Sequence, residues 1–132
     1  MVDYKDLSIM LTRRFRALKM WLVPRCYGTE LLRDVVRHHL RMAALFEEMV
    51  RADVRFEVMA PRRFALVCFW LRPPSTPRDK AAVNDLNKKL LEAVNANSRG
   101  PYMSSAMVGG DYLLRCAVGS TLTEECHVHD AW

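Results

Sequence analysis

The sequence contains no apolar run approaching the roughly 20 residues that a membrane-spanning helix needs, and it opens on a short polar segment, MVDYKDL. It also lacks a basic-then-apolar leader with a cleavage site, so no membrane partner and a cytoplasmic setting are expected. Cys26, Cys68, Cys116 and Cys126 are scattered without a paired spacing, and two of them lie in apolar runs. That pattern does not make a disulfide framework and fits free thiols in a reducing compartment. No G-x-S-x-G elbow and no cysteine-protease context is present, which leaves no recognisable nucleophile activated by a base. A phosphate loop is missing too, because Gly109-Gly110 is a lone pair with no helix directly after it.

What remains can fill a core. Hydrophobic residues make up 51% and charged residues 27% of 132 positions, a balance that disordered chains do not show, and the length suits one domain. Twenty Lys and Arg against 15 Asp and Glu give a formal charge of +5. The excess is densest at Arg13, Arg14, Arg16, Lys19 and Arg25, on a segment with helical apolar periodicity. A solvated or partner-facing helix side explains it, and no nucleic acid is expected without a clustered basic face carrying stacking aromatics.

Apolar residues at Phe15, Leu18, Leu22 and Val23 predict a helix over residues 9–27, with a kink or early stop at Pro24. Gly28 and Thr29 read as a helix end and a fresh N-cap. From Leu31 onward Leu32, Val35, Val36, Leu40, Ala43, Phe46, Met49 and Val50 recur at helical spacing. The period then falls to two at Val54, Phe56 and Val58, and FALVCFWL over 64–71 reads as a strand buried on both faces. The proline-rich stretch 72–79 is a loop, and a helix over 80–95 presents Val83, Leu86, Leu90, Leu91 and Val94. Strands over 102–108 and 112–118 meet in a two-residue hairpin at Gly109-Gly110. Thr121 and Glu124 are spaced as a capping box for a last helix ending at Trp132. The fold class is therefore α+β, a small, mainly antiparallel sheet with helices on one face.

The cluster CHVH at residues 126–129 offers thiolate and imidazole, and on a helix Cys126 and His129 share a side. Two ligands do not make a tetrahedral zinc site, so no metal is assigned. His38 and His39 are adjacent on a helix and point in different directions, which makes one a polar-face and the other a half-buried histidine.

Five strings, in order, carry a family resemblance: DYKDLSIMLTRRFRALKMWLVPRCYG at 3–28, RFEV at 55–58, FALVCF at 64–69, LNKKLLEAVNA at 86–96 and AVGSTLTEECHVHDAW at 117–132. They resemble the C-terminal small domain of the plant-type aromatic L-amino acid (tyrosine and tryptophan) decarboxylases, which are pyridoxal-phosphate-dependent enzymes. The resemblance implies the aspartate-aminotransferase fold type, a homodimer and a carboxy-lyase reaction on tyrosine, dopa or tryptophan. In such enzymes the cofactor is held by a lysine in the large domain and acts as the electron sink. That lysine and the cofactor-orienting groups precede the matched region in the family, so the resemblance assigns no catalytic and no cofactor-binding residue here. Lys5, Lys19, Lys80, Lys88 and Lys89 have no standing as cofactor lysines. One substrate-pocket residue carries over: Thr12 stands where the plant enzymes usually have Gly or Ser, and a branched side chain there favours a phenolic over an indolic ring, while Thr12 reads equally as the N-cap of the helix that follows.

Departures from the family pattern are Leu7 for a usual Trp, Pro24 for an apolar helix former and Cys116 for a usual Phe. The expectation is a single small domain over residues 1–132, truncated at both ends, with 1–11 as a lead-in from a large domain. It is expected neither to bind the cofactor stably nor to decarboxylate alone. Its expected partners are a second copy or a full-length decarboxylase subunit, met through side chains such as Phe15, Leu18, Trp21 and Leu22.

Overall fold

The structure is a computed structural model and describes residues 16–72, 79–98 and 100–132. The chain forms two compact units, residues 1–34 and 35–132. Helix α1 (Arg16–Ala52) is two helical stretches joined across Gly28. In the first unit every described residue from 16 to 31 is exposed, including Met20, Trp21 and Tyr27. Pro24 lies inside the helical stretch, and the break falls four residues later at Gly28, with φ 73° and ψ 164°. This corrects the expected stop at Pro24. A proline removes one amide donor, but an exposed turn leaves the unpaired carbonyl to water. The conformation of Gly28, by contrast, is open almost only to glycine.

In the second unit, α1 is followed by strands β1 (Phe56–Val58) and β2 (Leu66–Leu71), helix α2 (Lys80–Ala96), strands β3 (Ser104–Val108) and β4 (Asp111–Ala117), and helix α3 (Glu125–Ala131). The four strands form one antiparallel sheet in the order β1-β2-β4-β3, an α+β architecture as the periodicities indicate. Gly109 and Gly110, at φ 62° and 86°, make the turn between Val108 and its partner Asp111. Two successive positive φ values are what a tight two-residue hairpin demands.

Successive residues of β2 serve opposite faces of the sheet. Val67 and Phe69 join Leu114 in the main core with Met42, Ala43, Phe46 and Val50 of α1 and Val128 of α3. Trp70 faces the other way and packs with Leu113 and Val83. Helix α2 thus contributes to both clusters, Leu91 to the first and Val83 to the second. Trp132 closes the main core edge-on, its ring 4.8 Å from that of Phe56 and 5.8 Å from that of Phe46.

The seating of α2 depends on asparagines. Pairing of β2 with β4 runs from Leu66↔Ala117 to Phe69↔Leu114. Continued in register, Leu71 would face Tyr112. Instead Asn87, fully buried, accepts from the Leu71 amide (2.6 Å) and donates to the Leu71 carbonyl (2.9 Å). Asn84 accepts from the Tyr112 amide (2.8 Å) and donates to the Gly110 carbonyl (2.9 Å). At the penultimate position of α2, Asn95 makes the same two-point contact with Met103. A side-chain amide, with one acceptor and two donors, substitutes for a missing strand partner.

Three local expectations are corrected. Phe64 is not in the buried strand but is 82% exposed, on a turn closed by Leu66 N–H to Arg63 O (3.2 Å), and it has φ 53°. Val54 precedes β1 because the Asp53 carboxylate accepts from the Arg55 amide and turns the chain there. The cap of α3 is Glu124 rather than Thr121: the Glu124 amide donates to His127 Nδ1 (3.0 Å), while residues 120–123 form a turn of their own.

Asn87→Leu keeps the branched shape but strands two backbone groups of Leu71. Each unsatisfied buried group costs about 1–3 kcal/mol, so the unfolding free energy should fall by roughly 2–6 kcal/mol, with a matching drop in the denaturant midpoint. Phe64→Asn should instead stabilise by about 0.5–1 kcal/mol, because asparagine tolerates the left-handed conformation and little packing is lost. Thermal unfolding of the two variants side by side checks both signs.

Candidate functional site

A cleft of about 370 Å³ opens in the second unit. Its floor is apolar, with Phe46, Cys116, Val118 and Val128, while Ser120, Thr123, His127 and Asp130 add polar atoms to the lining. The segment 118–123 is held to α1 by the adjacent histidines. His38 Nε2 donates to the Thr123 carbonyl (2.6 Å) and His39 Nε2 to the Ser120 carbonyl (3.0 Å). A carbonyl only accepts, so both rings carry a proton on Nε2. Arg41 stands 3.3 Å from His38 Nδ1 and donates to it. Both histidines, read from the sequence as one surface and one half-buried side chain, therefore work together as a clamp across more than 80 residues of chain. No sequence spacing announces such a pairing.

Burial pushes the Cys116 thiol up to about 11. It remains protonated at neutral pH and is a poor nucleophile. Cys126, on α3, is exposed. The ring of His127 is engaged at the helix cap through Nδ1. Among the described residues no three His, Cys, Asp or Glu side chains converge as a metal site would require. No described helix is long and apolar enough to cross a membrane.

The turn that leads into β2 is braced by charge. Glu47 accepts from Arg51 (2.7 Å) and Arg62 (2.9 Å), and Arg62 also donates to the Phe64 carbonyl (3.2 Å). The hydrogen bond from Arg51, with Arg62 adding to it, holds the Glu47 carboxyl below its ordinary range against the opposing effect of burial.

Thr12, the substrate-pocket residue assigned by resemblance, and Lys5 lie outside the described residues. The described lysines have other roles or none in the cleft. Lys80 pairs with Asp111 (3.1 Å), Lys89 with Asp85 (2.6 Å), and Lys19 and Lys88 are exposed. Asp85 raises the Lys89 ammonium further from neutrality. A pyridoxal-type cofactor is held through an amine that can be uncharged within one concave site. The lining of this cleft contains neither Lys nor Arg, so it offers no amine to hold that group.

Against this geometry the comparisons are informative. The family described as the pyridoxal-dependent decarboxylase conserved domain matches residues 1–72. A tyrosine decarboxylase of Oryza sativa subsp. japonica is 67% identical over 139 aligned residues, covering 99% of this chain and 26% of that protein. Among solved structures, Rhodiola rosea 4-hydroxyphenylacetaldehyde synthase superposes with a TM-score of 0.82 at 48% identity, over 100% of this chain and 28% of the other. Oryza sativa TDC, solved with PLP and tryptamine, gives 0.84 at 43% identity, over 99% of this chain and 28% of that one. The chain belongs to the pyridoxal-dependent decarboxylase family and has the fold of the matching portion of these enzymes. It spans about a quarter of the length of the relatives it matches.

A pH experiment tests the charged brace. A carboxyl whose folded pKa is depressed stabilises fully above its unfolded value and loses that contribution as pH falls. Glu47→Gln should therefore be less stable than the parent at pH 7, by about 1–2 kcal/mol for a charge-assisted pair. The gap should close as pH falls below the ordinary glutamate range and Glu47 protonates in the parent. A gap that stays constant across urea titrations at several pH values would remove Glu47 from the brace.

Proposed function

We propose that this chain performs the role of the C-terminal small domain of an aromatic amino acid decarboxylase and does not catalyse decarboxylation alone. The observation that carries the reading is the co-linear match over 99% of the chain to about a quarter of a tyrosine decarboxylase. No described lysine is placed to hold the cofactor, which supports the second half of the proposal. The small domain would bring structure to a shared active site, with the cofactor and its electron-sink chemistry held elsewhere. Thr12 would narrow the substrate pocket of the complete enzyme and favour phenolic over indolic substrates. Aldehyde synthase chemistry, the activity in the name of one structural neighbour, is an alternative outcome for the same domain.

A second reading also has an observation behind it. Residues 16–31 are exposed throughout and helical on either side of Gly28, and Met20, Trp21, Leu22, Val23 and Tyr27 are among the apolar side chains left bare. Such a helix needs a covering surface, and a full-length decarboxylase subunit would supply one to a docking module. Co-purification with such a subunit distinguishes docking in trans from a role within one enzyme.

The test of the main proposal joins two measurements. After incubation with pyridoxal phosphate and borohydride reduction, mass mapping of the chain alone should show only low, scattered labelling of surface lysines. Substituted for the matching quarter of the Oryza sativa tyrosine decarboxylase, the chain should support CO₂ release from tyrosine. A stoichiometric adduct on one lysine of the isolated chain, or a folded chimaera that binds cofactor and is inactive, would sink the proposal.

A further inference from the structure

The two edges of the sheet are protected very differently. Edge strands expose a row of unpaired amides and carbonyls, and proteins usually guard them by shortness, charge, proline or a bulge. Strand β1 is guarded in this way. It is three residues long, its central residue is Glu57, and Glu57 accepts from Trp70 Nε1 (3.1 Å) and pairs with Arg72 (3.3 Å). The Arg55–Asp53 ion pair (2.6 Å) stands immediately before it.

Strand β3 has none of these devices. Its five residues, SSAMV, include no charge and no proline, and its pairing with β4 runs without a bulge from Ser104↔Arg115 to Val108↔Asp111. Ser104, Ser105, Met107 and Val108 are exposed, with Met107 and Val108 each at 59%. Among the described residues β4 is the only strand that pairs with it. An open edge of this kind accepts another extended strand, whose backbone completes the ladder.

The sequence of β3 also indicates which strand. Its first half is small and polar and its second half large and apolar. Two copies placed antiparallel about a two-fold axis at Ala106 set Ser104 opposite Val108 and Ser105 opposite Met107 of the second copy, small against large at each step. No charge meets a like charge along this ladder. An isologous contact needs this self-complementarity.

We propose that β3 is a self-association edge, through which two copies of this chain join their sheets into one antiparallel sheet of eight strands. This goes beyond the role in a decarboxylase and does not depend on it. The formal charge of +5 on each copy opposes the encounter at low salt, so association should strengthen as salt rises toward physiological ionic strength.

Hydrogen exchange on the full chain, at a low and a high protein concentration, reads the edge without any substitution. Amides within 104–108 should gain protection of about tenfold or more at the higher concentration. In sedimentation equilibrium, Ala106→Lys, which sets two ammonium groups opposite each other at the axis, and Met107→Lys should each weaken dimerisation by about tenfold or more. Trp21→Glu, on the exposed helix, should leave the dimer intact. Circular dichroism of each variant confirms that the fold is retained. A chain that stays monomeric throughout, or a dimer that Trp21→Glu abolishes while Met107→Lys does not, overturns the proposal.

Discussion

The paired hydrogen bonds between Asn87 and the backbone of Leu71 are the constraint on which the second unit depends. The sheet parts beyond Phe69↔Leu114, and a parted sheet leaves backbone donors and acceptors that must be satisfied or lost at a cost comparable to a broken hydrogen bond. Helix α2 fills the opening. With Asn84 at one end and Asn95 at the other, it is tied at three points to the chain around it. Once seated, it delivers Val83 to Trp70 and Leu91 to the main core, so one helix serves both hydrophobic clusters. Apolar burial alone would not fix the rotation of α2, since hydrophobic contact is non-directional. The amides supply direction.

This explains how much of the fold was legible in the sequence. Apolar period gave the helices, the strands and the α+β class, because burial of a face or stripe is written into spacing. The hairpin at Gly109-Gly110 was legible for a different reason: its backbone demands residues that adopt positive φ. The asparagines were not read, although Asn84, Asn87 and Asn95 lie on the same side of α2 as Leu91, where a polar residue of modest helix propensity is out of place. Their meaning lies in the backbone groups they meet, 8 to 28 residues away. Phe64 misled for the opposite reason. Its hydrophobicity extended a strand pattern through a position that the turn at 63–66, braced through Arg62 and Glu47, puts into the left-handed region.

The candidate site was less legible than the fold. Its clamp joins His38 and His39 to carbonyls at Thr123 and Ser120, a contact between a side chain and a backbone group that any residue would offer. A sequence displays the histidines but not the carbonyls. The motif that drew attention for its chemistry, CHVH, is used structurally through His127 at the start of α3. Thr12 was legible only by resemblance, and it lies outside the described residues.

Family membership and catalytic competence are separate properties of a chain, and they rest on different features of it. The family is carried by a pattern of buried positions and turn residues, which survives in any portion that folds. Catalysis with a pyridoxal cofactor calls on an amine that can be uncharged within an enclosed site. Here the described lysines are exposed or engaged with Asp85 and Asp111, and the cleft is lined by an acid and an imidazole but no cation. The second unit nonetheless closes its own core, down to the Trp132 ring packed edge-on against Phe46, Phe56 and Phe69. The helix of the first unit does the reverse, leaving Trp21, Val23 and Tyr27 in water. The two units therefore differ in what holds them, the second by a closed apolar core and the first by helical backbone hydrogen bonding with its apolar side chains exposed.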